Sequence, residues 1–341
     1  MTPRELVVDA LEFRSPERTP RQLWVLPWAE RNWPAELAAI RARFPDDIVQ
    51  SPGFLREPLK TVGDEYAPGL FIDEWGCRFE NRQYGIIGEV KEPLVAAWAD
   101  LDRVRPPRER LTVDAGEVDR FCERSASFVQ ARTIVRPFEL LQFLRGPENL
   151  YVDLAERPAA LDRLIERVHA FYLEEMELWA STEVDALFFA DDWGSQNGPL
   201  ISPALWRELF KPLYRDYAEI AHRNGKYVFM HSDGNITALY PDIVEIGVDA
   251  LNSQVFCMDV EDLGRRFAGK ITFWGEVDRQ HLLPYGTPVM VRAAVERARR
   301  AFDRGGGVIA QCEFGIGARP ENVAAVFEAW DRADVNSPGR M

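Results

Sequence analysis

The sequence predicts an α/β protein, a single (β/α)8 barrel of the TIM type with insertions near its N-terminus, and three observations carry that reading. Short runs rich in Val, Ile and Phe alternate with stretches of helical period through the second half of the chain. Each run ends in polar residues, as barrel strands do where they meet the loops that hold chemistry. No linker, low-complexity tract or short repeat divides the 341 residues, so 1–341 reads as one domain of about eight βα units.

Taken in order, 18–28 suggests an opening strand, and 45–120 reads as loops and short strands decorating the first βα units. A strand over 131–137 and a long amphipathic helix over 155–180 follow. Strands at 184–190, 226–230, 248–252, 270–275 and 307–311 alternate with helices at about 203–223, 236–246, 259–268, 287–304 and 319–333. Ser202-Pro203 and Thr287-Pro288 have the form of an N-cap followed by Pro in the first helical position. Asn224-Gly225 and Gly305-Gly306 mark helix ends.

Composition narrows the function. A net charge of −14 repels phosphate backbones and anionic lipid, so a small-molecule substrate or another protein is expected, with no nucleic acid and no membrane. No apolar run of 18 residues and no secretory signal occurs, which predicts a cytoplasmic protein. Four scattered cysteines, with no CxxC pair, support neither a disulfide framework nor a zinc ribbon. The sequence leaves the oligomeric state open, with a homodimer as the commonest arrangement for such a chain.

The predicted strand ends supply the candidate site. They carry Asp191-Asp192-Trp193, His231-Ser232-Asp233, Glu276 and Cys312-Glu313. His231 and Asp233 stand at i and i+2, so in extended backbone both point to one side. With Cys312 they form a set of imidazole, carboxylate and thiolate that suits zinc in a site left open to substrate. The plainer alternative pairs His231 with a neighbouring carboxylate and lets Asp233 cap the next helix. Of Asp191 and Asp192, one is easily a cap. Two adjacent carboxylates at a strand end repel unless one meets a proton or a cation, so both are candidates for catalysis. Trp75, Trp193, Trp274 and Phe314 are candidates for an aromatic wall around a flat ligand, with Glu276 as a polar contact and rim packing as the alternative.

The segments "DDWGSQNGPLISPALWRELFKPLY", "YVFMHSDGNI", "KITFWGEVD" and "PENV" resemble the uroporphyrinogen decarboxylase superfamily over most of the chain. The resemblance implies a βα barrel with its site at the strand C-termini. In the decarboxylase branch an Asp after an early strand holds the pyrrole nitrogens, and Asp73 in "FIDEWG" stands at the similar place. That branch's paired arginines are reduced here to Arg31, so uroporphyrinogen itself is not the expected substrate. The other branch holds zinc with an HxC pair and a later Cys and exchanges methyl groups with a corrinoid protein. His231 matches its His, Asp233 replaces its first Cys, and Cys312 falls within two residues of its second. The resemblance therefore implies a zinc-dependent methyltransferase working with a separate corrinoid protein. Its alternative is a metal-free decarboxylase or lyase acting on a smaller acid, with Asp73 and Asp192 as the polar pair.

Overall fold

The structure is a computed structural model that describes residues 1–331. Eight strands follow one another in the order β1-β11-β10-β9-β8-β7-β6-β2, the succession of a (β/α)8 barrel. By internal packing the chain forms two compact units, one from Met1–Val49, Ala126–Phe128 and Ala250 onward, the other from Gln50–Ser125 and Val129–Asp249.

In the first unit, β1 (Arg21–Val25) runs parallel to β11 (Val308–Phe314), in register from Arg21 opposite Ala310 to Val25 opposite Phe314. β10 (Thr272–Trp274) pairs in parallel with β11 and with β9 (Ala250–Ser253). Every residue of β9, β10 and β11 is buried, including the polar Asn252, Ser253, Gln311 and Glu313, as befits parallel strands covered on both faces. Thr287 caps the helix Pro288–Phe302, its hydroxyl accepting from Met290 N–H, as the Thr-Pro pair predicts.

In the second unit, β7 (Ala186–Ala190) and β8 (Tyr227–Ser232) are paired in parallel from Ala186 opposite Tyr227 to Ala190 opposite His231. Gln130 of β6 (Phe128–Gln130) lies opposite Ala186, and Ser51, just past β2 (Ile48–Gln50), donates its N–H to the Gln130 carbonyl. The insertion over 45–120 contains an antiparallel sheet of β3 (Gly69–Ile72), β4 (Arg78–Asn81) and β5 (Glu89–Glu92).

Several elements differ from expectation. The helix expected over 203–223 is two, Pro203–Leu209 and Lys211–Arg223, because Pro212 has no N–H to give the preceding turn. The one expected over 155–180 is interrupted at Arg157-Pro158, leaving Pro147–Glu156 and Ala159–Ala180. The strand expected over 131–137 lies earlier, in β6, with Val135 making one bridge to Phe189. The helix over 236–246 starts only at Tyr240, and that over 319–333 is Pro320–Asp331 as far as the described residues reach. No helix among the described residues is long and apolar enough to cross a membrane.

Candidate metal centre and adjoining cavity

The two aspartates after β7 face different ways, as consecutive residues of extended chain must. Asp191 is fully buried. Its carboxylate accepts the N–H groups of Phe138 and Glu139, both at 2.7 Å, and the Tyr214 hydroxyl at 2.5 Å. It thereby satisfies donors that the first turn of the helix Pro137–Arg145 cannot use internally. Burial pushes its pKa up, with the charge of Glu139 adding to the rise, while the Tyr214 hydroxyl and the two amides oppose it. Its place is inside the wall, where it ties the first turn of that helix to Tyr214.

Asp192 points the other way, toward β8. Its Oδ1 accepts the Asp233 N–H at 2.9 Å and lies 3.5 Å from His231 Nε2. Asp233 Oδ1 also lies 3.5 Å from that nitrogen. One ligand atom from each of Asp192, His231 and Asp233 falls within 4.8 Å of the other two. The side chains are reachable without being fully exposed, at 40% for Asp192, 15% for His231 and 26% for Asp233.

Two glycines permit this arrangement. Gly194 donates its N–H to the Asp233 carbonyl at 3.0 Å, and Asn235 donates to the Ser195 carbonyl at 2.7 Å, so the loops after β7 and β8 cross at backbone contact. A Cβ on Gly234, whose φ is +78°, would meet the Gly194 carbonyl oxygen at 2.1 Å. Behind the crossing lies an aromatic wall. Trp193 is fully buried, stacked on Phe138 with centroids 4.1 Å apart, and its indole N–H donates to the Tyr214 hydroxyl at 2.9 Å. Each such aromatic pair adds on the order of 1 kcal/mol beyond area burial, which stiffens the strand ends.

Beside this centre lies a cavity of about 550 Å³. Phe71, Phe79, Phe143, Leu55 and Ile134 supply apolar wall, and Asp73, Glu74, Glu139, Glu175, Arg110 and Arg136 supply charge. Glu139 connects it to the centre: burial, with the charges of Asp192 and Asp233, raises its pKa to about 7 against the opposing charges of Arg136 and His231. Asp73 Oδ1 accepts the N–H groups of Trp75 at 3.0 Å and Cys77 at 2.7 Å, and burial raises its pKa to about 6.

The structure brings Asp192, His231 and Asp233 together and puts Asp73 on the cavity. Cys312 belongs to the first unit, fully buried on β11, where burial and then Glu276 and Glu313 hold it in the thiol form. In the same unit Trp274 is fully buried, its indole N–H donating to Gln22 Oε1 at 3.0 Å, and Phe314 is fully buried too. Glu276 is buried and paired with Arg279 at 2.9 Å. Trp193, Trp274 and Phe314 therefore offer a ligand no surface of their own, because aromatic rings at these strand ends fill the core. Trp75 is likewise buried, edge-on to Phe171. Sequence reasoning does not reach Glu139, Arg136 or Tyr214. The one signal for the first two is their place at the end of the strand expected at 131–137, Arg136 within it and Glu139 two residues beyond.

The family model for uroporphyrinogen decarboxylase (URO-D) matches residues 72–333. The chain belongs to the uroporphyrinogen decarboxylase family. In fold the chain is similar to a methyltransferase from Methanosarcina mazei, with a TM-score of 0.66 at 17% identity, over 97% of this chain and 98% of that one. It confirms the (β/α)8 barrel expected from the strand and helix alternation. No curated protein matches this family member in sequence.

Proposed function

We propose that this chain is a metal-dependent methyltransferase that moves a methyl group between a small substrate in the cavity and a corrinoid carried by a separate protein. The observation that carries the reading is the meeting of Asp192, His231 and Asp233, with the imidazole nitrogen 3.5 Å from an oxygen of each carboxylate. Ligands about 2.0–2.2 Å from a tetrahedral zinc lie roughly 3.4 Å from one another, so the residues present fit that ion. The fold shared with a methyltransferase supports the same reading.

Asp192, His231 and Asp233 would hold the ion, leaving a position for substrate. Zinc bound there would act as a Lewis acid on the heteroatom that gives up or takes the methyl group. One imidazole and two carboxylates make a harder donor set than a thiolate site, suited to an oxygen or nitrogen leaving group. Glu139, with a pKa near neutral, holds the proton that such a leaving atom needs as the bond to methyl breaks. Gly194 and Gly234 keep the two strand ends in contact, and Asp191 fixes the helix that carries Glu139.

The test is elemental analysis of the purified protein together with methyl transfer to free cob(I)alamin, followed by its absorption change. Stoichiometric zinc, lost in His231→Ala and in Asp233→Ala with the transfer activity, is the expected result. Cys312→Ala is expected to keep the metal, because three protein ligands already make a catalytic set. Zinc retained in both His231→Ala and Asp233→Ala overturns the reading. A second reading, a metal-free decarboxylase of a small acid, is favoured by Asp73 on the cavity wall. It predicts carbon dioxide release that survives chelation and needs no corrinoid.

A further inference from the structure

The cavity beside the metal centre holds three arginines, and they are not equivalent. Arg110 is engaged: its Nε donates to Glu74 Oε1 at 2.6 Å, and its Nη1 lies 3.5 Å from Glu175 Oε1. Arg136 is different. It stands just before the helix Pro137–Arg145, half-buried, on the lining of the cavity. Its guanidinium lies 5.3 Å from the centre of the Phe143 ring, yet it makes no hydrogen bond or ion pair with the side chain of any described residue. Arg132, exposed at the rim of the same cavity, has none either.

A half-buried guanidinium whose N–H fork meets no protein acceptor is a ready partner for an anion that enters the cavity. Of the carboxylates around it, Glu74 is turned to Arg110 and Asp73 to the amides of Trp75 and Cys77, while Glu139 acts on it through charge without a hydrogen bond. The fork is therefore open to an acceptor carried by a ligand. We propose that the cavity binds an organic monocarboxylate with an apolar, preferably aromatic, body, its carboxylate paired in bidentate fashion with Arg136 and its body against Phe71, Phe79 and Phe143. A planar carboxylate matches the arginine fork, and the ring above it is a surface for a flat body. A phosphate is disfavoured, because Glu65, Asp73, Glu74, Glu139 and Glu175 line the same cavity and repel a second negative charge. An ammonium compound would face Arg136 and Arg132 directly. A cavity of about 550 Å³ has room for a substituted benzoate.

The inference names the substrate class for the methyltransferase reading and rests on that reading only for the fate of the ligand. Its test is therefore binding alone, by calorimetry on the intact, metal-stripped chain without corrinoid, using 4-methoxybenzoate against its neutral isostere 4-methoxybenzamide and against inorganic phosphate. The benzoate is expected to bind about tenfold or more tighter than the amide, as charge-assisted hydrogen bonds imply. Phosphate is expected not to compete. Arg136→Lys should weaken benzoate by about tenfold while leaving the amide unchanged, because the ammonium keeps the charge and loses the fork. Equal affinities for benzoate and benzamide in the wild-type chain, no benzoate binding at millimolar probe, or competition by phosphate would each overturn the proposal, whatever Arg136→Lys does to folding. Loss of this preference with zinc and methyl transfer intact would remove the anion site and leave the methyltransferase reading standing.

Discussion

The Tyr214 hydroxyl lies 2.5 Å from Asp191 Oδ2, and that bond separates the duties of two adjacent aspartates. Asp191 is tied into the wall by three donors, while Asp192 faces His231 and Asp233. Asp191→Ala should therefore lower stability by about 3 kcal/mol, since it leaves buried donors without an acceptor, and Tyr214→Phe by about 1 kcal/mol. Urea unfolding followed by circular dichroism measures both. A loss for Asp191→Ala no larger than that for Asp192→Ala would contradict the division.

Zinc should protect the folded chain. A ligand that binds the native state alone adds about 2.7 kcal/mol at a hundredfold excess over its Kd. Thermal unfolding with and without Zn²⁺ is expected to show a higher Tm for the wild type and no shift for His231→Ala. Chelation should return the wild type to the apo value.

Asp73 makes stability depend on pH. Burial raises its pKa from 3.8 to about 6 in the folded chain, so the native state holds this proton more tightly than the unfolded one. Its contribution is fully present below pH 3.8 and is lost as pH rises through about 6. Asp73→Asn keeps an oxygen to accept from Trp75 and Cys77 and carries no such proton. Relative to wild type it should gain about 2 kcal/mol on going from pH 4 to pH 8. Unfolding free energies at the two values decide it, and an unchanged difference would refute the assignment.

Gly234→Ala should cost about 2–4 kcal/mol, because its φ of +78° disfavours a side chain and a Cβ would strike the Gly194 carbonyl. It should also weaken zinc binding by displacing Asp233. Gly198→Ala, where a Cβ meets nothing within 4 Å, is the control and should be close to silent in both measurements.

The sequence makes the later barrel strands legible because parallel strands buried on both faces open as apolar runs, residues 227–230 in β8 and 308–310 in β11, before their polar ends. β2 and β6, three residues each, are too short to leave such a signal. His231 and Asp233 are legible as a pair because alternate residues of a strand share a side. Asp192 is legible only as half of a doublet, since which aspartate turns inward depends on the distant Tyr214 and the amides of Phe138 and Glu139. Trp193 and Trp274 look like ligand walls in sequence because nothing local distinguishes a rim ring from a core ring. Their hydrogen bonds to Tyr214 and Gln22 come from residues 21 and 252 positions away.

The insertion that carries β3, β4 and β5 lends the cavity Phe71, Asp73 and Phe79, whereas the possible metal ligands grow from the ends of β7 and β8. On the proposed reading, part of the selectivity and the metal ligands are thus written in separate stretches of the gene. Mutation or recombination confined to the early segment would retune which molecules are admitted and leave the reactive ensemble intact, a layout that lets one scaffold diversify its diet without reinventing its chemistry.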